Sequence, residues 1–244
     1  MFHSCTELTN IVLPNGITSI ENYAFQGCTN LALTSLPNGI TSIGNYAFYN
    51  CDNLALTNLP DAVTSIGNDA FAASNVSISD FRNVTTIGEY AFHSCPLTTL
   101  IFRKVISIGD YAFSNSTTGI ASIVFNEGLT NIGIHAFESN YDDRGADLNT
   151  VSEIILPSTL QSIGYLAFAG LPPEVFSYMT YIRKATILAT TPPTIEGYKV
   201  DTSGAYNVFG KGATESIVVP AGCGEAHKAA EGWSEYADKI VEAS

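Results

Sequence analysis

The chain has 244 residues, 45% of them hydrophobic and only 14% charged, which argues for an ordered and well-buried interior. With 23 acidic and 10 basic residues the formal charge is −13, a balance that repels phosphate backbones and anionic lipid and argues against nucleic acid as a partner. No run approaches the ~18 consecutive apolar residues of a membrane span, and the five cysteines form neither a C-x-x-C pair nor a His-Cys cluster, so nothing signals zinc or redox chemistry.

The N-terminus, MFHSCTELTN, has neither the basic start nor the apolar core of a signal peptide. It aligns instead with Phe92-His93-Ser94-Cys95, the tail of a repeat, so we expect either an excerpt of a longer protein or a first coil that pairs in an assembly. From there one unit recurs, marked by Ile20, Ile43, Ile66, Ile87, Ile108, Ile132 and Ile163 at steps of 23, 23, 21, 21, 24 and 31 residues. Five residues after each marker comes a phenylalanine preceded by alanine: Phe25, Phe48, Phe71, Phe92, Phe113, Phe137 and Phe168. A period in the low twenties predicts a solenoid.

Upstream of the markers lies an L-x-x-L-x-L pattern: Leu8, Ile11, Leu13; Leu97, Leu100, Phe102; Ile120, Ile123, Phe125; Val151, Ile154, Leu156. Copies two and three place Thr34 and Thr57 at the middle position, which leaves their register open. Pro14, Pro37, Pro60 and Pro157 follow this segment, where extended chain should stop. The predicted coil therefore has a strand along one face, a turn, and a second short extended run at I-T-S-I. A glycine then permits a bend, and a short helical turn carries the Ala-Phe inward. Coils stacked at roughly 4.8 Å would form a parallel sheet along one side.

Two stretches depart from the period. The 31-residue step holds a polar insertion, NYDDRGADLNT (140–150), and the spacing is lost between Phe168 and Phe209, where EGYKVDTSGAY (196–206) predicts a second loop. Insertions in repeat proteins map to surface loops and often to binding faces. Near the end, Ile217 and Val219 predict a last strand closed by Pro220. Ala226, Ala229 or Ala230, Trp233, Ala237 and Ile240 then recur at helical spacing, an apolar face to cover the open end. Glu225, Lys228, Glu231 and Glu235 would face water, and Gly232 is expected to break the helix. This divides the chain into a solenoid of about seven coils over 1–170, the first incomplete, and degenerate terminal coils with a cap over 171–244, in one continuous domain.

The combination L-x-x-I-x-L-P followed by I-T-S-I-G-x-x-A-F-x-x-C closely resembles the BspA-like leucine-rich repeats of bacterial surface proteins, over about residues 1–170. ATTPPTI (189–195) and the segment 217–240 look like the closing piece of such arrays. The resemblance implies a β-rich leucine-rich-repeat solenoid that is secreted or anchored at the cell surface. It implies adhesion to a host or bacterial surface protein, and no enzymatic activity or cofactor.

Candidate site residues follow from the coil. In L-x-x-L-x-L the residue between the last two apolar positions faces out, giving the column Val12, Ser35, Asn58, Asp80, Ile101, Val124, Ile155. The next outward position adds Arg82 and Arg103, so Ile101, Val124 and Ile155 would form an apolar patch with a positive edge, a protein-binding surface. Exposed β-branched residues are also ordinary strand formers. Tyr23, Tyr46, Tyr90 and Tyr111, interrupted by Asp69 and His135, form a second column that either stacks on sugar rings or packs along the flank. Asp142, Asp143 and Asp147 in the insertion offer oxygen ligands for calcium but match no EF-hand spacing.

Cys5, Cys28, Cys51 and Cys95 all sit three residues after a repeat phenylalanine, where other copies carry Ser74, Ser116 or Asn140. That interchange predicts a ladder of small buried residues rather than disulfides. His3 and His93 share a column about 19 Å apart at this rise, too far to share a metal, and His135 and His227 show no neighbouring ligand pattern. No Ser-His-Asp order, G-x-S-x-G, P-loop or H-E-x-x-H is present. The expected function is a non-catalytic extracellular module that binds a protein through its strand face and inserted loop, with a glycan-binding module or a passive spacer as alternatives.

Overall fold

The computed structural model describes residues 2–115, 119–138, 151–169, 182–197, 208–209 and 214–244. The insertion 140–150, with Asp142, Asp143 and Asp147, lies outside the described residues, as does most of the second loop. In chain order the strands are β1 (Ser19–Ile20), β2 (Ser42–Ile43), β3 (Ser65–Ile66), β4 (Thr86–Ile87), β5 (Thr99–Ile101), β6 (Ser107–Ile108) and β7 (Ser122–Val124). They continue as β8 (Asn131–Ile132), β9 (Glu153–Leu156), β10 (Ser162–Gly164), β11 (Lys184–Ile187), β12 (Thr194–Glu196) and β13 (Ser216–Val219). The helix α1 (Gly224–Ala229), a 3-10 turn (Ser234–Tyr236) and β14 (Ile240–Glu242) end the chain.

Every described strand pair is parallel, one coil to the next, as a solenoid requires. The continuous ladder is the I-T-S-I run. Among the described residues it forms an eight-stranded sheet in the order β1-β2-β3-β4-β6-β8-β10-β12, with the marker isoleucines side by side. Among the described residues the L-x-x-L-x-L side pairs in pieces, β5-β7 and β9-β11-β13-β14.

The reason lies in one residue of register. Leu97, Leu100 and Phe102 are buried, so the chain alternates in and out over Thr99–Phe102 and forms a strand. In the second coil the buried residues are Leu31, Leu33 and Leu36, leaving Thr34 and Ser35 outside together. Leu54 and Leu56, and Val76, Ile78 and Phe81, repeat this L-x-L-x-x-L arrangement. Two successive outward residues break the period of two, and the ladder with it.

Inside, the repeat phenylalanines stack face to face in an unbroken column from Phe2 through Phe25, Phe48, Phe71, Phe92, Phe113, Phe137 and Phe168, with ring centroids 5.1–5.5 Å apart. Phe209, where the sequence spacing is lost, extends the column at 6.2 Å. The turn that carries these rings is not a continuous helix. Tyr23 and its column mates, and Asn50 and its own, sit at positive φ near 55°, so alternate N–H groups point along the solenoid axis. Phe25 N–H donates to Ala47 O at 2.8 Å in the next coil, while Cys28 N–H turns back to Phe25 O at 3.1 Å.

The glycine after each marker serves close approach rather than the expected bend. A Cβ on Gly67 would lie 2.7 Å from the Asn45 nitrogen and 2.8 Å from the Gly44 carbonyl carbon of the preceding coil. The first coil carries Glu21 here, with no marker segment before it among the described residues. Beside the glycines an asparagine ladder ties coil to coil, as where Asn22 Oδ1 accepts Asn45 N–H at 2.7 Å.

The cap differs in detail from the expected helix. The residues that α1 buries are Gly224 and His227, not Ala226 and Ala229. Trp233 is fully buried and donates its Nε1–H to Pro193 O at 2.6 Å, and Tyr236 packs at 5.6 Å from Phe209. Ile240 belongs to a strand rather than a helix, because Gly232 at φ 78° turns the chain so that β14 pairs with β13. Glu242 closes this end by accepting Gly222 N–H at 2.9 Å and Gly224 N–H at 2.8 Å, which holds its carboxyl below the usual glutamate range.

Candidate functional site

The outward column of the strand face is where the sequence places it. The register pairs Asp80 with Ile101 and Ile101 with Val124, then Ile155 with Thr186, Thr186 with Val218 and Val218 with Val241. Val124 is 50% and Ile155 61% exposed, while Ile101 is half-buried. Val12 is the barest at 89%, but Ser35, Asn58 and Asp80 separate it from the other apolar members.

The sequence reading missed Leu188 and Val241, which extend this apolar surface beyond Ile155. The signal for Leu188 was present. Ile182, Ala185 and Ile187 make an L-x-x-L-x-L with alanine in the middle, and all three are buried.

The positive edge is neutralised. Arg103 grips Asp80 with two hydrogen bonds, Nε at 2.9 Å and an Nη at 3.0 Å. Arg82 bonds Asp61 at 2.8 Å and lies 3.6 Å from Asp80. The Arg103 hydrogen bond is the main reason the Asp80 carboxyl stays below the ordinary carboxylate range. The arginines therefore form an ion-pair ladder across three coils, and beyond Ile101 the outward column is apolar at Val124 and Ile155.

The tyrosine column is also present, and its rings pack on one another. Tyr23 and Tyr46 stack at 5.2 Å, Tyr90 and Tyr111 at 4.7 Å, and Tyr111 and His135 at 4.6 Å. Asp69, between the rows, accepts the Tyr46 hydroxyl and thereby raises its pKa. Ring faces inside each row are covered by neighbours, so edges and hydroxyls are what these rows offer to solvent. Burial lowers the pKa of His93, whose Nδ1 pairs with Ser114 Oγ at 2.7 Å. His135, expected to have no carboxylate nearby, has Glu138 Oε2 at 2.9 Å from its Nδ1, one turn along, though out of hydrogen-bond alignment.

All five cysteines are free, and the buried ones explain why serine replaces them. Cys51 Sγ donates to Phe25 O at 3.1 Å and Cys95 Sγ to Phe71 O at 3.0 Å, each in the coil before. Ser74 Oγ makes the same bond to Phe48 O. Burial pushes the Cys51 and Cys95 thiols up to about 12, so both stay protonated donors. Among the described residues no three or more His, Cys, Asp or Glu side chains are grouped to hold a metal ion, and no helix is long and apolar enough to cross a membrane.

These features meet known proteins at two levels. The BspA type leucine-rich-repeat region matches in six copies, over residues 1–119, 85–149 and 107–187. No curated protein matches the chain. Among solved structures, a leucine-rich repeat protein from Bacteroides ovatus superposes with a TM-score of 0.57 at 19% identity, covering 98% of this chain and 61% of that one. At that identity the likeness speaks for the fold alone. The stacked phenylalanines, the marker isoleucine ladder and the six matched repeats make this chain a member of the BspA type leucine-rich-repeat family.

Proposed function

We infer that the protein is a non-catalytic, extracellular adhesion module that docks a protein partner on its strand face, from Ile101 through Val124 and Ile155 to Leu188. Repeat modules of this family commonly bind proteins, are generally not enzymes, and are typically secreted or held at the cell surface. The observation that carries the reading is the column of outward β-branched residues, half or more exposed at Val124 and Ile155, on the side of the solenoid whose residues vary from coil to coil. Solvent-facing apolar surface that neither the core nor the cap needs is what an interface core is made of. Asp80, Arg82 and Arg103 border the patch as a paired polar rim, Val12 marks the far end of the same face, and Asp142 and Asp143 of the insertion join the surface in this reading.

The test uses the immobilised chain and its Val124→Glu/Ile155→Glu variant against surface proteins from candidate host and bacterial cells. A protein retained by the wild type and lost from the variant is the expected result. Equal retention by both would remove the strand face as the site.

A further inference from the structure

The two sides of the solenoid disagree between the coils that carry β7 and β9. On the marker side these coils are fully joined, with Asn131 opposite Ser162 and Ile132 opposite Ile163 in the β8-β10 ladder. On the strand side, among the described residues, β7 pairs with β5 and β9 with β11, and no ladder joins β7 to β9. The seam is open to solvent. Ile123 and Phe125 point inward by register, yet both are only half-buried, whereas Leu100 and Phe102 before them and Ile154 and Leu156 after them are buried to within a few per cent. A groove of about 360 Å³ lies over this seam. Ile123 and Phe125 line its depth, while Val124, Ile155 and Leu188 stand around its mouth, the last three 42–61% exposed.

Among the described residues that line the groove, the charged ones are carboxylates. Glu127 is pinned in place by Ser158, whose hydroxyl donates to it at 2.8 Å, and Glu153 stands exposed on the opposite strand. The nearest cation in register, Lys184, lies beyond Glu153 on β11 and does not line the groove. An apolar slot with two carboxylates at its rim, on a chain of net charge −13, selects against acidic partners and favours basic ones.

We propose that this seam is the anchor point of the strand-face interface, and that its occupant is a segment of a partner protein presenting an aliphatic or aromatic side chain flanked by lysine or arginine. The side chain enters between β7 and β9 against Ile123 and Phe125, and the flanking cations meet Glu127 and Glu153. This rests on the protein-binding reading above and adds the partner's chemistry to it.

The test titrates the intact chain into three fluorescein-labelled hexapeptides followed by anisotropy. One carries Leu-Phe between two pairs of lysines, one Leu-Phe between two pairs of glutamates, and one Gly-Ser between two pairs of lysines. The first is expected to bind about tenfold or more tighter than either other, and to weaken as salt is raised. Glu153→Lys should cut its affinity about tenfold, and Ile155→Asp should abolish it. Both residues are exposed, so unchanged thermal melting of these variants verifies that the fold is intact. If the glutamate peptide binds as tightly as the lysine peptide and Ile155→Asp removes both, the charge assignment is overturned while strand-face docking stands. Lysine-peptide binding that survives Ile155→Asp overturns the seam as the site. Should no peptide bind the wild type, the proposal fails, and the retention experiment on the Val124→Glu/Ile155→Glu variant still judges the docking reading separately.

Discussion

The marker side and the strand side of this solenoid obey different rules, though every coil contributes to both. On the marker side the coils approach until backbone touches backbone at the glycines from Gly44 to Gly164, and among the described residues the ladder runs through eight strands, the last carrying Glu196 at the glycine position. On the strand side two outward residues in the early coils, and an open seam between β7 and β9 later, break the sheet into pieces. One side is fixed by contact between neighbours, and the other is left free to differ. In a repeat protein that division puts stability on the constant side and recognition on the variable one.

Substitutions can break or sharpen this contrast, and the largest effect belongs to the shared interior. Phe71→Ala removes a fully buried ring stacked on both Phe48 and Phe92 and should cost about 3–5 kcal/mol in denaturant unfolding. Next comes the marker side itself. Gly67→Ala forces a methyl to within 2.8 Å of the Asn45 and Gly44 backbone and should cost about 1–3 kcal/mol, while Glu21→Ala at the matching position of the first coil should change little. Equal effects of the two would sink the close-approach explanation.

The thiol ladder predicts a smaller step. Cys51→Ser keeps the donor to Phe25 O, whereas Cys51→Ala leaves that carbonyl with the Cys28 N–H alone and should cost about 1 kcal/mol more. With native protein, a thiol reagent should reach Cys5 and Cys223 well before Cys51 and Cys95, whose thiols are buried and held up to about 12.

At the C-terminal end, Glu242 has a carboxyl pKa lowered by the two backbone N–H groups it accepts. A lowered folded value stabilises above the unfolded glutamate range and is lost as pH falls through it. Hydrogen exchange in β14 and α1 should therefore rise on acidification, and Glu242→Gln should flatten that dependence. Smallest of all, Ile155→Glu on the exposed strand face should leave stability within about 0.5 kcal/mol, because that side chain supports no neighbour in the core.

Much of this was legible in the residues. The invariant five-residue step from isoleucine to phenylalanine announces the phenylalanine column, and the interchange of cysteine with serine announces a ladder of small buried residues rather than disulfides. The outward column at Ile101, Val124 and Ile155 follows from a period of two. Other features needed neighbours to be seen. Arg82 and Arg103 read as a positive edge because Asp61 lies a full coil away in sequence and directly alongside in space. Whether the tyrosines stack on sugar rings or pack along the flank was open in the sequence, because stacking is a property of pairs of coils. Leu188 went unnoticed because Ala185 fills the middle position that a larger residue holds in the other strands.

The sequence alone determined the period, the identity of each core plug and the family of the fold, since these are carried by residue type and spacing within a single coil. Tertiary structure decided which side forms the unbroken sheet, which charges cancel and where the strand face opens. Those depend on how one coil lies against the next: a slip of one residue in the second coil, a Cβ missing at Gly67 and an unpaired edge at β7 acquire meaning only when another coil stands beside them.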